Sequence, residues 1–580
     1  MRFAIALLGL PLLATPPTFT VQDAIQAEWK RQSPSFSELE KSQLSESDRT
    51  RLDLTLKRIG APNAPALLPP ELDKPTAELW EAKAIAAKTP QERFTALFFL
   101  NRLKSAKALM SLEGLRASNA KTWPKHLHLE ASIATARLNG GEVKPELQGF
   151  LDGLEKAGKA DPVRAQAAML RLRIGGKKTG EPKNPENLFE RDAWLQMPWA
   201  KRKETHRTEL ARMLEAAENP PIPLASPNNP MVGQLQRLIE GLPEDPENDW
   251  VPRLLRLLSH KYVPPMLVQA TLSGLAKQPK SSAFKALPVR GGAFAGMELA
   301  MLRRQMGEPS AEILRKAFLQ GVDPLARAAA IEDLSEAPAD IEALIQRLWK
   351  TEEYDGVQIL LQSLEKWKLP EDRRKAILLR FLEHPCWTAR LDAWTALRKL
   401  DTKTPWPTAP EPTPTDEAIL REATRLTKVG KPVRLRLTFA GRRQIVLKLD
   451  AVNAPMNVAN LVILARKGYF NGRLVPRVVP DFVVQMGSPC DTMDGGPGYT
   501  VRCENSLTWY GPGSVGMALS GKDTGGSQFF ITTNATPHLT GKYTRLGEVE
   551  DLNKALKILD DLELGAKLER VDVLVPGMKR

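Results

Sequence analysis

"SGKDTGGSQFFITTNATPHL" spans Ser520–Leu539. Its first half is a polar loop in which Gly521, Gly525 and Gly526 surround Lys522, Asp523 and Thr524. Its second half is apolar and β-prone through Phe529, Phe530 and Ile531, and Gln528 stands at the junction. With four upstream residues the loop reads "GMALSGKD" (Gly516–Asp523), close to the phosphate-binding pattern G-x-x-x-x-G-K-[ST]. That pattern needs a hydroxyl after its lysine and a helix whose first amides face the phosphates. Here Asp523 puts a carboxylate where phosphate charge would gather, and a strand follows. The nucleotide reading fails, and the stretch is a glycine loop feeding a buried strand.

The surrounding sequence repeats that grammar. "VRLRLTFA" (Val433–Ala440) and "QIVLKL" (Gln444–Leu449) flank "GRR" as the arms of a hairpin. "APMNVANLVILARKGYF" reads as a helix, followed by short strands at "RLVPRVV", "FVVQMG", "GSVGMAL", "FFITTN" and "TRLGEV". A second helix, "EDLNKALKILDDL", precedes a last strand near Val571. Many short strands with two helices predict a closed antiparallel barrel, an arrangement without exposed edges.

Upstream the pattern is all-α. Leu, Ala, Arg, Lys and Glu recur at three- and four-residue steps from about Ile25 to Leu400. A phrase returns as "DPVRAQAAMLRL" from Asp161, "DPLARAAAIEDL" from Asp323 and "HPCWTARLDAWTAL" from His384. Arg327, Ala330 and Leu334 match Arg390, Ala393 and Leu397, with a weaker copy at Val357, Leu360 and Leu364. A period of roughly 30 residues signals stacked helical repeats and resembles HEAT-like repeats. The expected organisation is a helical region over 25–180 and HEAT-like repeats over 188–400. A Pro/Thr-rich linker over 401–416 ("DTKTPWPTAPEPTPTD") and a β domain over 417–580 follow.

The N-terminus, "MRFAIALLGLPLLA", has one basic residue and an apolar run too short to span a bilayer, then "TPPTFT". This predicts a secretory signal peptide within 1–20, cut between Ala14 and Ala24, and an exported protein of the bacterial periplasm or cell envelope. No later run reaches ~18 apolar residues, so no integral membrane segment is expected. The net charge is +14, but Lys and Arg alternate with Asp and Glu and no basic run carries interleaved aromatics. A nucleic-acid partner is therefore not indicated. Of three cysteines, Cys386 is isolated, while Cys490 and Cys503 either form a disulfide or remain two small apolar thiols.

The motifs "GYFNGRLVPRVVPDFVVQMGSP" (Gly468–Pro489) and "GPGSVGMALSGKDTGGSQFFITTNATPHLTGKYTRLGEV" (Gly511–Val549) together resemble the cyclophilin family of peptidyl-prolyl isomerases. The resemblance covers about Val433–Leu574. It implies an eight-stranded antiparallel barrel capped by two helices, no metal or other cofactor, and proline-containing polypeptides as substrates. It implies that Arg477 is catalytic. Phe482, Val483, Phe530 and Leu539 then wall the proline pocket, Gln485 and Gln528 orient the arginine or bind peptide backbone, and Ala518, His538 and Tyr543 complete the binding surface. Assisted folding of exported proteins, with the helical repeats as an arm for client or partner proteins, is the expected role. The alternative is a non-catalytic scaffold that binds proline-containing segments.

Several positions depart from the family. Pro476 precedes the arginine where many members have histidine, and Val483 is shorter than the usual methionine or isoleucine. His538 stands where well-known eukaryotic members carry tryptophan, Tyr543 replaces a histidine, and Leu546 replaces a phenylalanine. Loss of the tryptophan implies weak binding of cyclosporin.

Overall fold

A computed structural model describes residues 18–34, 38–61, 66–103, 195, 199–429, 432–479 and 482–574. Residues 1–17 of the expected signal peptide, the phrase at Asp161 and most of the expected 25–180 region lie outside them.

Nine strands form one antiparallel sheet: β1 (Val433–Phe439), β2 (Arg443–Leu449), β3 (Arg473–Leu474), β4 (Arg477–Val479), β5 (Val483–Met486), β6 (Ser514–Met517), β7 (Phe529–Thr532), β8 (Arg545–Val549) and β9 (Lys567–Leu574). Their order is β3-β9-β1-β2-β8-β6-β7-β5-β4. The ladder is thus not closed as the sequence predicts. Its two edge strands, β3 and β4, are consecutive pieces of one segment, interrupted at Val475 and Pro476. Pro476 has no N–H to donate, so the ladder breaks there. Val475 holds the ends together, donating to the Ala566 carbonyl (2.8 Å) and accepting from the Gly565 N–H (2.9 Å). The result is a curled sheet whose edges meet in one strap.

Inside the curl, alternation sets the core. Val433, Leu435, Leu437 and Phe439 of β1 point inward, and Arg434, Arg436 and Thr438 point outward. The helix Pro455–Arg466 is buried along nearly its whole length, with Pro455 in its first turn. The buried carboxylate of Glu504 caps it, accepting the N–H groups of Met456 (3.0 Å) and Asn457 (2.9 Å). Helix Leu552–Asp560 also covers the sheet. So do two further helices: Pro414–Val429, which straddles the expected boundary at 417, buries Ile419, Ala423 and Leu426 in this core, and Val21–Lys30, far outside it, buries Ile25 and Trp29. More helices therefore cover the sheet than the two expected.

The preceding chain is helical from Trp199 to Leu400. The recurring phrase marks its inward face. Asp323 caps the Pro324–Asp333 helix by accepting from the N–H groups of Leu325 (3.0 Å) and Ala326 (3.2 Å). Ala330 and Ala393 are fully buried, and Arg327 and Arg390 are buried beside them. Arg327 pairs with Glu353, and Arg390 donates to the carbonyls of His384 and Thr408. The Pro/Thr-rich segment is extended but docked. Trp406 donates its indole N–H to the Arg31 carbonyl (2.9 Å) and meets Trp394 edge-on, and the Pro414–Val429 helix begins before the segment's expected end.

The helical and β parts are joined through Asp523. Its backbone is left-handed (φ 62°), and its carboxylate is wholly buried. It accepts from Arg31 Nη2 (2.5 Å) and Nε (3.2 Å), from Trp387 Nε1 (2.7 Å) and from the Cys503 N–H (2.8 Å). Burial alone would raise its pKa, but the Arg31 and Lys522 charges and these bonds bring it down to about 2. All three cysteines are free thiols. Cys503 Sγ accepts the Asp523 N–H at 3.1 Å, so the sulfur available for a Cys490–Cys503 bridge is engaged in this joint instead.

Truncating Arg31 strands a buried carboxylate, which costs about 3–5 kcal/mol. Arg31→Ala should lower the unfolding free energy of the full chain by that amount near neutral pH, read in urea melts as a lower midpoint. Because the folded-state pKa of Asp523 is depressed, the pair's contribution is present above ~4, the ordinary carboxylate range. It is lost as the pH falls through about 2, and the gap between parent and variant should narrow over that window.

Candidate active site

β5 and β7 each send alternate residues to two different apolar clusters. Val484, Met486, Phe529 and Ile531 enter the sheet's core, whereas Val483 and Phe530 join Tyr510 and Leu539 in a separate buried cluster on the outer face. Phe482, Ala518, Tyr543 and Val479 rim that cluster. Antiparallel pairing sets Gln485 opposite Phe530 and Arg477 opposite Gln485. Gly516 of β6 lies under the floor. A Cβ there would sit 2.3 Å from Phe530 Cζ and 2.7 Å from Tyr510 Oη, so only glycine leaves room for the two rings. Sequence reasoning missed Tyr510 and Gly516. A glycine inside a strand is the available signal for the second, because it marks close approach.

Beside this floor runs a string of polar side chains. Arg477 Nη1 donates to Gln485 Oε1 (3.2 Å), and Gln485 Nε2 donates to Gln528 Oε1 (3.0 Å). Gln528 Nε2 ends the string on the carbonyls of Met493 (3.0 Å) and Gly495 (2.9 Å). Each amide has one orientation that satisfies both neighbours, so the guanidinium is held from one side. Burial lowers the Arg477 pKa, yet from an ordinary value so high that the group remains a cation. Among the described residues no carboxylate forms a salt bridge with it. Its carbon lies 5.8 Å from the centre of the Phe482 ring.

A cavity of about 440 Å³ collects every site residue expected from the sequence except His538. His538, in the short Pro537–Leu539 helical turn, is instead stacked between two rings. Phe482 is 5.6 Å away on one side and Phe98, from helix Pro90–Leu103, is 5.2 Å away on the other at 9°. The far wall of the cavity is the loop Ser520–Gly526. It is braced internally by Thr524 Oγ1, which accepts from the Ser520 N–H and donates to the Gly521 carbonyl (both 2.8 Å). The helical region grips it from outside: Gln358 Nε2 donates to the Ser520 carbonyl (3.3 Å) and Thr388 Oγ1 to the Asp523 carbonyl (3.0 Å).

Burial, with Arg102 and Lys542 nearby, lowers the His538 pKa to about 4. The ring is neutral at pH 7. Its folded-state pKa lies below the ordinary ~6.5, so the stability carried by the Phe98–His538 seam is present above that value and lost as the pH falls through about 4. Between pH 7 and 4.5 the unfolding free energy read from urea melts should fall by about 1 kcal/mol more for the parent than for His538→Phe, a modest figure because partial exposure screens the charge.

The described residues hold no cluster of metal-ligating side chains. A family model described as "Cyclophilin type peptidyl-prolyl cis-trans isomerase/CLD" matches residues 434–575. A peptidyl-prolyl cis-trans isomerase of Helicobacter pylori is 40% identical over 129 residues, which cover 22% of this chain and 78% of that protein. One from Synechococcus elongatus is 40% identical over 122 residues, covering 21% and 83% respectively. Peptidyl-prolyl cis-trans isomerase B of Bacillus subtilis is 50% identical over 109 residues, covering 18% and 76%. Through residues 434–575, which supply all but one of the residues lining this cavity, the chain belongs to the cyclophilin-type peptidyl-prolyl cis-trans isomerases.

Proposed function

We propose that the cavity is the groove in which this isomerase turns X–Pro bonds, with Arg477 as its catalytic residue. The observation that carries the reading is the Arg477–Gln485–Gln528 string lying against the Phe530 floor. A peptide bond resists rotation by ~18–20 kcal/mol because nitrogen shares its lone pair with the carbonyl. At the twisted midpoint the lone pair returns to nitrogen, and a fixed donor nearby is worth more there than in either planar state. Arg477 supplies that donor without a covalent step. Phe530, Val483, Leu539 and Phe482 hold the ring, and Tyr510, standing on Gly516, supports them from below. Gln485 and Gln528 set the guanidinium, Ala518 borders the bound backbone, and Tyr543 closes the rim.

His538 acts through packing rather than as an open platform, because Phe98 covers one face of its ring. Weak cyclosporin binding then has two causes, the missing indole and the covering phenylalanine.

The helices over 188–400 serve as a HEAT-like arm for client or partner proteins, a reading supported by the buried alanines and arginines of the repeated phrase. The curled sheet acts as the family's barrel, its edges joined by the Val475 strap. The chain works outside the cytoplasm, assisting the folding of exported proteins after its leader is removed. Phe19 is 1% exposed and Thr20 caps the helix that delivers Arg31, so the cut that preserves the Asp523 joint falls before Phe19.

Arg477→Ala should reduce isomerisation of an Ala-Pro peptide by about 10²–10³-fold, the loss seen when one preorganised donor is removed. Exchange spectroscopy on the full chain measures it. Parent-like turnover in a folded variant would remove Arg477 from its role.

A further inference from the structure

One residue lining the cavity comes from outside the family's segment: Tyr354, the first residue of helix Tyr354–Lys366. The proline pocket occupies the end of the groove at Phe530 and Leu539. Outside that apolar cluster the cavity is lined by Ser520 and Thr524 on one loop, Gly495 and Gly496 on another, and Tyr354. Its hydroxyl lies against the second loop, 3.1 Å from where a Cβ on Gly496 would be.

The phenol cannot readily swing away. The preceding turn is fixed by the buried Arg327–Glu353 pair. The following helix buries Val357, Leu360, Leu361 and Leu364 in the helical core and bonds the Ser520 carbonyl through Gln358. Burial raises the Tyr354 pKa, so the group facing the groove is a neutral phenol. Thr524 spends its hydroxyl on the Ser520 N–H and the Gly521 carbonyl, Gln528 spends its amide on Gln485 and on the Met493 and Gly495 carbonyls, and the phenol itself interacts with the adjacent Asp355 carboxyl. Little is left there to reward a long polar side chain, and the ring occupies the space a bulky one would need.

We propose that Tyr354 determines substrate specificity. It closes the end of the groove remote from the proline pocket, so that the isomerase takes proline peptides whose side chain at that subsite is short (Gly, Ala or Ser) and discriminates against large aromatic ones. The proposal rests on the groove's being the peptide site. An extended chain advances ~3.3–3.6 Å per residue, so the subsite belongs to a residue near the proline.

The test uses the full chain and a set of Ala-Pro peptides carrying alanine or tryptophan at each of the three residues on either side. Turnover is followed by exchange spectroscopy. In the parent one position should disfavour tryptophan. Tyr354→Ala should raise the tryptophan-to-alanine ratio of kcat/KM at that position by about tenfold or more, the scale on which pockets discriminate by size. Tyr354→Phe, which keeps the ring, should leave the ratio at the parent's value. Tyr354→Leu keeps an apolar side chain at the helix start and should move the ratio in the same direction as alanine, which guards against a misfolded alanine variant. Ratios within twofold of the parent at every position, in folded Ala and Leu variants, would overturn the proposal while leaving the isomerase reading intact. A parent chain that accelerates no peptide would overturn both.

Discussion

The Arg31–Asp523 pair is the constraint on which the rest of the arrangement depends. A carboxylate with no exposed surface is tolerated only if its charge is matched and its lone pairs are filled. Arg31 supplies the charge, and Trp387 and the Cys503 amide supply further donors. Arg31 also donates to the carbonyls of Arg58 (3.0 Å) and Cys503 (3.1 Å), and the Arg31 carbonyl accepts from the Trp406 indole N–H. An N-terminal helix, the end of the helical region, the proline-rich segment and the cavity loop therefore meet at one buried charge pair. None of the four can shift without exposing or stranding part of it.

This joint reaches the chemistry because Asp523 belongs to the loop that walls the groove. Two residues away on either side, Gly521 and Gly525 give the loop its shape, and Ser520 and Thr524 face the cavity. Here the Ser520 and Asp523 carbonyls are bound by Gln358 and Thr388, and Tyr354 projects between the loop and its neighbour. The helical region is a structural part of the groove as well as an appendage to it. The Phe98–His538–Phe482 stack does the same at the proline end.

Much of this was legible in the sequence where local pattern and tertiary role agree. Alternation in "VRLRLTF" and the apolar run of "FFIT" follow from which faces of the sheet are buried, and both segments are strands as expected. Arg477, Phe482 and Phe530 were readable because their spacing matches a known motif. Asp523 rules out a phosphate loop at Gly516–Asp523, although nothing local says what that carboxylate does instead. Its partner lies 492 positions away. The same distance problem hid Tyr354 and Phe98, whose own surroundings read as ordinary helix. Ladder closure was overestimated because strand count says nothing of register, and Pro476 interrupts pairing at the one place where closure would occur. The disulfide possibility rested on Cys490 and Cys503 flanking a single loop, and spacing along the chain does not reveal that Cys503 faces Asp523.

The central claim is that the helical region holds the groove loop through the buried pair. Native-state hydrogen exchange, resolved to the peptide containing Ser520–Gly526, tests it most directly in the full chain and in an Arg31→Met variant. The account predicts a protected loop in the parent and a loss of protection in the variant, with the amides of β1, β2 and β9 unchanged. Equal protection of the loop in both proteins would contradict it.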